Sequence, residues 1–469
     1  MERLSFMDRW YLLAERRETP MHVGGLCLFT VPEEEDEAEF VRRQVDILRS
    51  PEDWRPPFGH RLKVGPLGPA GPTYWEPAEH LDVDYHVRHV VLSELRREDV
   101  FGLTARLHES LLDRRRPLWE VHLIEGLPDR RVALYSKVHH AAIDGVSAVR
   151  LALEMMSPEP AERHDRSPFA RHIHERAGAG RDRPEREPPT PRELAAVAEG
   201  LHESLGSRTG LLAGLRTYAR AWWSDEAQAL PTAWTPEPET RFGNRISGRR
   251  SLVGHSCSLS RVRAVGKALG GTLNDVVLAM CGGALRRYLD VRGELPEQPL
   301  RAMAPVSLRT EERGRVGNAV GALVANLGTH LSDPGARFEA VAASMSAGKA
   351  LLRGMSAREI ELFTLLTLTP AQLAAVLGFG DRFSPYSVVV SNVRGPRERQ
   401  YWNGACLDGL YAMGGISHGC ALNITLLSNA DRLDFGILAC RDVVPDAQRL
   451  SDDLRCALED LERAAGLAT

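Results

Sequence analysis

Two adjacent histidines, His139 and His140, are followed by Asp144 and Gly145 in the run KVHHAAIDGVSAV. A neutral imidazole, with an ordinary pKa of about 6.5, can take a proton from an alcohol or thiol near neutral pH and hand it to a leaving group. A histidine just beyond a strand end is held by the sheet while its ring reaches into a cleft. Asp144 can orient that ring or hold the turn from behind, and Gly145 lets the backbone bend into the next element. Three other readings compete. The histidines can be packing residues ahead of a capped helix. His139, His140 and Asp144 can be zinc ligands, although neighbouring strand residues point to opposite faces and cannot easily share one ion. A Ser-His-Asp hydrolase is the third; it needs a GxSxG elbow between a strand and a helix, and none is expected here.

The elements that must position these residues follow from periodicity. Val132, Leu134, Ser136 and Val138 share a face, which predicts a strand over Val132–Val138 leading into the histidines. Val146, Val149, Leu153 and Met156 then fall on one helical stripe, with Asp144 at its N-cap. Asp82–Arg88 alternates and reads as a strand. Ser157–Arg192 holds 7 prolines and 15 charged residues in 36, a composition that cannot offset its ordering entropy and reads as a linker; an ordered, solvated loop is the alternative. Beyond it, Thr209–Ser224 is an amphipathic helix. From Arg249 the pattern predicts a helix over Asn274–Asp290, strands over Arg301–Val306 and Tyr386–Ser391, a hairpin of Leu422–Leu427 and Leu433–Leu438 turning at Asn429 and Asp431, and a helix over Asp446–Ala465. The chain thus divides into an N-terminal unit (1–157), a crossover (158–248) and a C-terminal unit (249–469), both units mixing helix and strand.

Composition narrows the class. With 59 Lys and Arg against 63 Asp and Glu, the net charge of −4 over 469 residues argues against a nucleic-acid partner. The 7 cysteines are scattered without a CxxC pair, so neither a disulfide framework nor a zinc ribbon is expected. Met1–Arg17 lacks a signal-peptide core, and no apolar run reaches the ~18 residues of a membrane span. A cytoplasmic protein with reduced thiols is the expectation.

HHxxxDG resembles the signature of the CoA-dependent acyltransferase superfamily, which includes chloramphenicol acetyltransferase and the peptide-synthetase condensation domains. Further runs are similar to the bacterial wax ester synthase/diacylglycerol acyltransferase family. They are Leu4–Leu26 (LSFMDRWYLLAERRETPMHVGGL), the PLWE run of Pro117, Leu118, Trp119 and Glu120, Asn274–Ala279 (NDVVLA), Pro305–Arg309 (PVSLR), Ser391–Pro396 (SNVRGP) and Leu422–Thr425 (LNIT). They occur in the family's order, from Leu4 to about Asp446.

That resemblance implies an α/β (α+β) fold of two similar chloramphenicol-acetyltransferase-like lobes, each a mixed β-sheet flanked by helices. The active histidine would lie at their interface, in a tunnel entered by acyl-CoA from one side and by the acceptor alcohol from the other. The implied reaction moves a long-chain acyl group from acyl-CoA, a substrate rather than a cofactor, to a diacylglycerol or a fatty alcohol. No cofactor and no metal are expected. A thioester is already activated, so direct attack needs only a general base, assigned to His140; His139 packs or positions. The resemblance makes Asp144 structural, paired with Arg309, and offers Asn274 as the donor to the oxyanion, with Asn274 and Asp275 as a helix N-cap the alternative. PLWE is structural, Trp119 as a buried aromatic and Glu120 satisfying backbone or an arginine. Ser391, Asn392, Gly395 and Pro396 form a turn at the lobe junction, with Asn392 bonding across it. Arg394 stands where the family usually has proline, and can reach CoA phosphates.

Two other classes stay open. One is an acyltransferase of the same superfamily using a carrier-protein thioester or a small polar acceptor. The other is a non-catalytic lipid- or CoA-binding protein. The amphipathic stretches Thr209–Ser224 and Glu361–Phe379 can rest on a membrane or lipid droplet surface, with ordinary core-facing helices as the alternative.

Overall fold

The computed structural model describes residues 2–65, 73–92, 97–171, 237–312, 315–353 and 384–467, with Arg216 and part of 355–382; side chains at 6–7, 97–99 and 307–320 lie outside the description. The N-terminal lobe runs β1 (Glu2–Arg3), α1 (Phe6–Ala14), β2 (His22–Thr30), α2 (Glu37–Arg49), β3 (His60–Val64), β4 (Thr73–Pro77), α3 (Val83–His86), β5 (Val87–Val91), α4 (Arg97–Glu109), β6 (Trp119–Leu127), β7 (Arg131–His139) and α5 (Gly145–Leu153). After the crossover come β8 (Arg250–Ser258), α6 (Leu259–Ala268), α7 (Leu273–Asp290), β9 (Arg301–Glu312), β10 (Arg315–Asn326), α8 (Pro334–Leu352) and β11 (Val388–Val393). The chain ends with β12 (Tyr401–Trp402), β13 (Ala405–Met413), β14 (Leu422–Asn429), β15 (Arg432–Cys440) and α9 (Arg449–Ala464).

Two six-stranded mixed sheets result, in the orders β12-β13-β2-β7-β6-β5 and β10-β9-β11-β14-β15-β8, with a small β1-β4-β3 sheet beside the first. The lobes exchange chain. β12 and β13, from the C-terminal unit, complete the N-terminal sheet by pairing β13 with β2 from Cys406↔Thr30 to Met413↔Gly24. A boundary at 249 therefore divides the sequence but not the sheets. The junction is tight: a Cβ on Gly436 of β15 would stand 2.0 Å from the carbonyl of Ala412 in β13, so only glycine admits this approach. Buried Asp434 of β15 accepts the Leu410 N–H of β13 at 3.0 Å, and the Arg250 N–H of β8 donates to Glu109 of α4 at 2.8 Å.

Local signals explain most elements. Leu450, Leu454, Leu458 and Leu461 share the buried stripe of α9, each at most 1% exposed. β14 and β15 form the expected hairpin, with Ala430 in the left-handed turn conformation. Two expectations fail. Asp82–Arg88 is not one strand: Asp82 caps α3 by accepting the Tyr85 N–H, and only from Val87 does the chain extend. The first part of the linker is packed: Phe169 is 4% exposed and stacks on Trp119, and Ser157 pairs with Tyr401. Thr209–Ser224 lies outside the described residues except Arg216. Among the described residues no single helix is long and apolar enough to cross a membrane.

Candidate active site

β7 is covered on both faces, with Val132, Leu134 and Val138 on one and Ala133, Tyr135, Lys137 and His139 on the other, none more than 5% exposed. Its last residue is His139, which pairs with His22 of β2 and donates its backbone N–H to the Leu118 carbonyl at 3.0 Å. His140 has left the sheet; its N–H donates to the Met21 carbonyl at 2.8 Å. The strand parity that groups it with Ser136 and Val138 therefore does not set its direction.

The two rings have different surroundings. His139 is fully buried, and its Nδ1 accepts the Ala141 N–H at 3.0 Å. That bond places the proton on Nε2, which faces the Glu15 carboxylate at 3.4 Å. Glu15 also accepts from the Met21 N–H at 3.1 Å and from Arg114 at 2.9 Å, while Arg114 reaches the Leu12 carbonyl. Burial alone would raise the Glu15 carboxyl; His139, the Met21 N–H and Arg114 together bring it down to about 2. His139 thus ties the end of β7 to α1.

His140 is half-buried and stacks flat on Tyr11, ring centroids 4.2 Å apart at 19°. Its ring donates to its own backbone carbonyl. Burial lowers its pKa below the ordinary value, an effect larger than the opposing hydrogen bond and the nearby charges of Asp144 and Asp8. The ring is therefore neutral, a base rather than a cation, at neutral pH.

Asp144 is exposed and caps α5, accepting the Ser147 N–H at 2.7 Å. No arginine pairs with it among the described residues, and the side chain of Arg309, in β9, lies outside them. Gly145 opens α5 without a left-handed φ, and an added Cβ would meet nothing within 4 Å. Its small size is thus not needed for a tight turn; it leaves open volume beside the histidine turn.

Asn274 does not cap α7. Thr272 does, accepting the Asp275 N–H while Asp275 accepts back from Thr272. Asn274 is half-buried at the second helical position, and its amide makes no hydrogen bond among the described residues, nor any described contact with His140.

In PLWE, Pro117 lines a polar cavity of about 180 Å³ with Arg61, His86 and Arg116. Leu118 supplies the carbonyl that holds His139, and the Trp119 indole N–H donates to the Phe58 carbonyl at 2.9 Å. Glu120 is buried with Lys137 at 3.5 Å, His122 at 3.3 Å and Arg88 at 3.7 Å. Its partners are thus a lysine and a histidine as well as the expected arginine.

Ser391 and Asn392 belong to β11, opposite Thr425 and Leu426, not to a turn. The turn begins after Val393: the Gly395 N–H donates to Ser428 at 3.0 Å, and the Pro396 carbonyl accepts from Ala430. It does mark the lobe junction, since the chain passes there from one sheet to the other. Asn392 makes no bond across it among the described residues. A GxSxG spacing does occur, at Gly415–Gly419 (GISHG). Ser417 exchanges backbone bonds with Cys420 in a turn between β13 and β14, which is not a strand-to-helix elbow. Among the described residues no three His, Cys, Asp or Glu side chains converge on a point where a metal could bind.

Sequence reasoning missed Tyr11, Glu15 and Arg114. Its one available signal was a glutamate closing an apolar run, WYLLAE.

Comparison with known proteins gives one consistent answer. Residues 4–277 match the wax ester synthase/diacylglycerol acyltransferase catalytic domain, and residues 316–462 match the C-terminal domain of the same family. The chain is 41% identical over 464 residues, 98% of each chain, to the probable diacylglycerol O-acyltransferase tgs2 of Mycobacterium tuberculosis. It is similar to the solved wax ester synthase/diacylglycerol acyltransferase of Marinobacter aquaeolei VT8, with a TM-score of 0.78 and 36% identity over 100% of both chains. The first condensation domain of the CDA synthetase shares the fold, with a TM-score of 0.56 at 18% identity over 99% of this chain and 97% of that one. The chain belongs to the wax ester synthase/diacylglycerol acyltransferase family.

Proposed function

We propose that this protein transfers a long-chain acyl group from acyl-CoA to the hydroxyl of a diacylglycerol or a fatty alcohol, yielding a triacylglycerol or a wax ester. The O-acyltransferase class follows from family membership, and relatives carrying the name diacylglycerol O-acyltransferase support that acceptor. The observation that carries the mechanism is His140: neutral, half-buried, stacked on Tyr11, with no side-chain hydrogen bond among the described residues and open space at Gly145 nearby.

The acceptor oxygen attacks the thioester carbonyl as its proton passes to Nε2 of His140. The tetrahedral oxyanion then collapses, the C–S bond breaks, and the imidazolium returns the proton to the CoA thiolate. No acyl-enzyme forms. Acid–base help of this kind contributes about 10²–10⁴-fold. Asn274, whose amide makes no hydrogen bond among the described residues, is the proposed oxyanion donor, a role worth about 10²–10³-fold where one donor is removed.

The test is CoA release from palmitoyl-CoA with hexadecanol or diolein as acceptor, products resolved by thin-layer chromatography. His140→Ala is expected to lose about 10²–10⁴-fold in kcat with an unchanged thermal transition; near-wild-type turnover would remove the base assignment. The proposed location is cytoplasmic, in peripheral contact with a membrane or droplet surface. Exposed Leu362, Leu366 and Phe379 support that contact, and failure to float with liposomes would exclude it.

A further inference from the structure

A catalytic imidazole needs its plane fixed as well as its proton placed. In a Ser-His-Asp arrangement a carboxylate does both by accepting from the ring. Here that carboxylate is missing from the ring. Asp144 spends its Oδ1 on the Ser147 N–H at the head of α5, and the Glu15 carboxylate faces His139. The His140 ring makes no side-chain hydrogen bond among the described residues. Its own carbonyl is too weak an anchor to hold the plane of the ring alone.

What remains is Tyr11. Its ring lies 4.2 Å from the His140 ring and within 19° of parallel. Tyr11 is itself held firmly. Its carbonyl accepts the Glu15 N–H at 3.1 Å, the next residue's carbonyl takes Arg114, and its ring packs with Leu4, Leu12, Trp75 and Leu118. The same Glu15 that closes α1 also grips His139 and the Met21 N–H, and the Met21 carbonyl holds the His140 backbone. One helix end thus fixes the backbone of the histidine turn, and one turn earlier offers a flat surface to the ring.

We infer that Tyr11 is the positioning residue of His140, an aromatic plate that sets the plane of the base and keeps water from one of its faces. The inference rests on His140 being the base. Three charged or titratable groups also face the ring: Asp8 from α1, and Asp144 and His139 from its own turn. The two carboxylates favour the imidazolium and His139 opposes it, while the dry face supplied by Tyr11 favours the neutral ring. Removing the plate both frees the ring and wets it. The acid limb of the rate profile should then move up towards the ordinary histidine value.

The hydroxyl is not the working part, so Tyr11→Phe should hold kcat within about twofold and leave the acid limb in place. Tyr11→Leu fills volume without a flat face and Tyr11→Ala leaves a gap; both should lower kcat by about 10–100-fold, the scale of a misplaced catalytic group. The KM for palmitoyl-CoA should stay within about twofold, and the acid limb of kcat/KM should shift upward. Tyr11→Leu guards against a variant that simply fails to fold, and the His140 ring proton can be titrated by NMR in each folded variant. Leu and Phe variants with the same kcat and the same acid limb would overturn the plate. His140→Ala in the same series separates the two ideas: an active His140→Ala sinks the base assignment, whereas an inactive His140→Ala beside a fully active Tyr11→Leu sinks only Tyr11.

Discussion

The two six-stranded sheets bury different interiors. Behind the C-terminal sheet α7 alone contributes Val276, Val277, Leu278, Met280 and Leu285, all fully buried, although that lobe also buries Arg337, Asp434 and the Arg301–Glu237 pair. The N-terminal sheet buries charge. Lys137 donates to the carbonyls of Leu107 and Ser110 at the end of α4 and faces Glu120, while His108 bonds the Tyr135 hydroxyl at 2.9 Å and His22 reaches the His108 carbonyl at 2.8 Å. Burial holds His22 and His108 well below the ordinary histidine range, so both are neutral. The polar network lies along the two strands that end at the histidine turn. Non-directional packing can hold a scaffold; directional bonds are needed to aim a side chain. Both lobes bury charge, but the N-terminal lobe gathers it into a connected network beside the histidine turn.

Substitutions can break that contrast. Glu120→Ala leaves the Lys137 ammonium buried without its carboxylate and is expected to cost about 3–5 kcal/mol, read from urea midpoints. Leu285→Ala in the other lobe costs a similar ~2–5 kcal/mol through a cavity. The lobes should separate in activity per folded molecule, which falls for Glu120→Ala and holds for Leu285→Ala. Equal behaviour would dissolve the distinction.

A second effect appears with pH. The Glu15 carboxyl titrates at about 2 rather than its ordinary 4.5, so it stabilises the fold above 4.5, and that contribution is lost as pH falls towards 2. Glu15→Gln should therefore lower Tm most at neutral pH, with the gap to wild type narrowing on acidification. A gap that stays constant would mean that the carboxylate charge is not what holds His139.

The smallest effect sharpens the site itself. Asp144→Ala removes a helix cap worth about 1 kcal/mol, whereas Asp144→Asn can still cap. Both remove a carboxylate charge that favours the His140 imidazolium, so both should move the acid limb of the pH–rate profile down by the same small step and leave the plateau kcat in place. If Asp144→Asn keeps stability but lowers the plateau kcat, Asp144 orients the base after all.

The legible parts of the sequence were local. Strand period into helix period around HHAAIDG located β7, Asp144 as a cap and α5; alternation located the β14–β15 hairpin. Thr272-x-x-Asp275 is a capping box legible in the sequence, overlapping the Asn-Asp pair that also has cap chemistry. Asp82–Arg88 misled because a single helical turn and a strand both admit alternating apolar residues over so short a run. His86, with its Nδ1 on the Trp119 carbonyl at 2.7 Å, shows which contact decided the matter. The partners of the two histidines were not legible, because Tyr11, Glu15 and Arg114 lie far from them in sequence. Strand exchange was invisible for the same reason: nothing within Ala405–Met413 says which sheet it will join.

That exchange constrains how the molecule can be made. β2, the strand beside β7, has an unpaired edge until Met413 has been synthesised, and an open edge invites pairing with other chains. At translation speeds of about 5–20 residues per second, the interval between the histidine turn and the strand that seals its sheet lasts on the order of tens of seconds. The nascent chain cannot complete its N-terminal sheet first and append the rest. A site built beside that sheet is complete only once β13 has been made, and a fragment stopped after the first lobe would present a sticky border instead of a closed sheet.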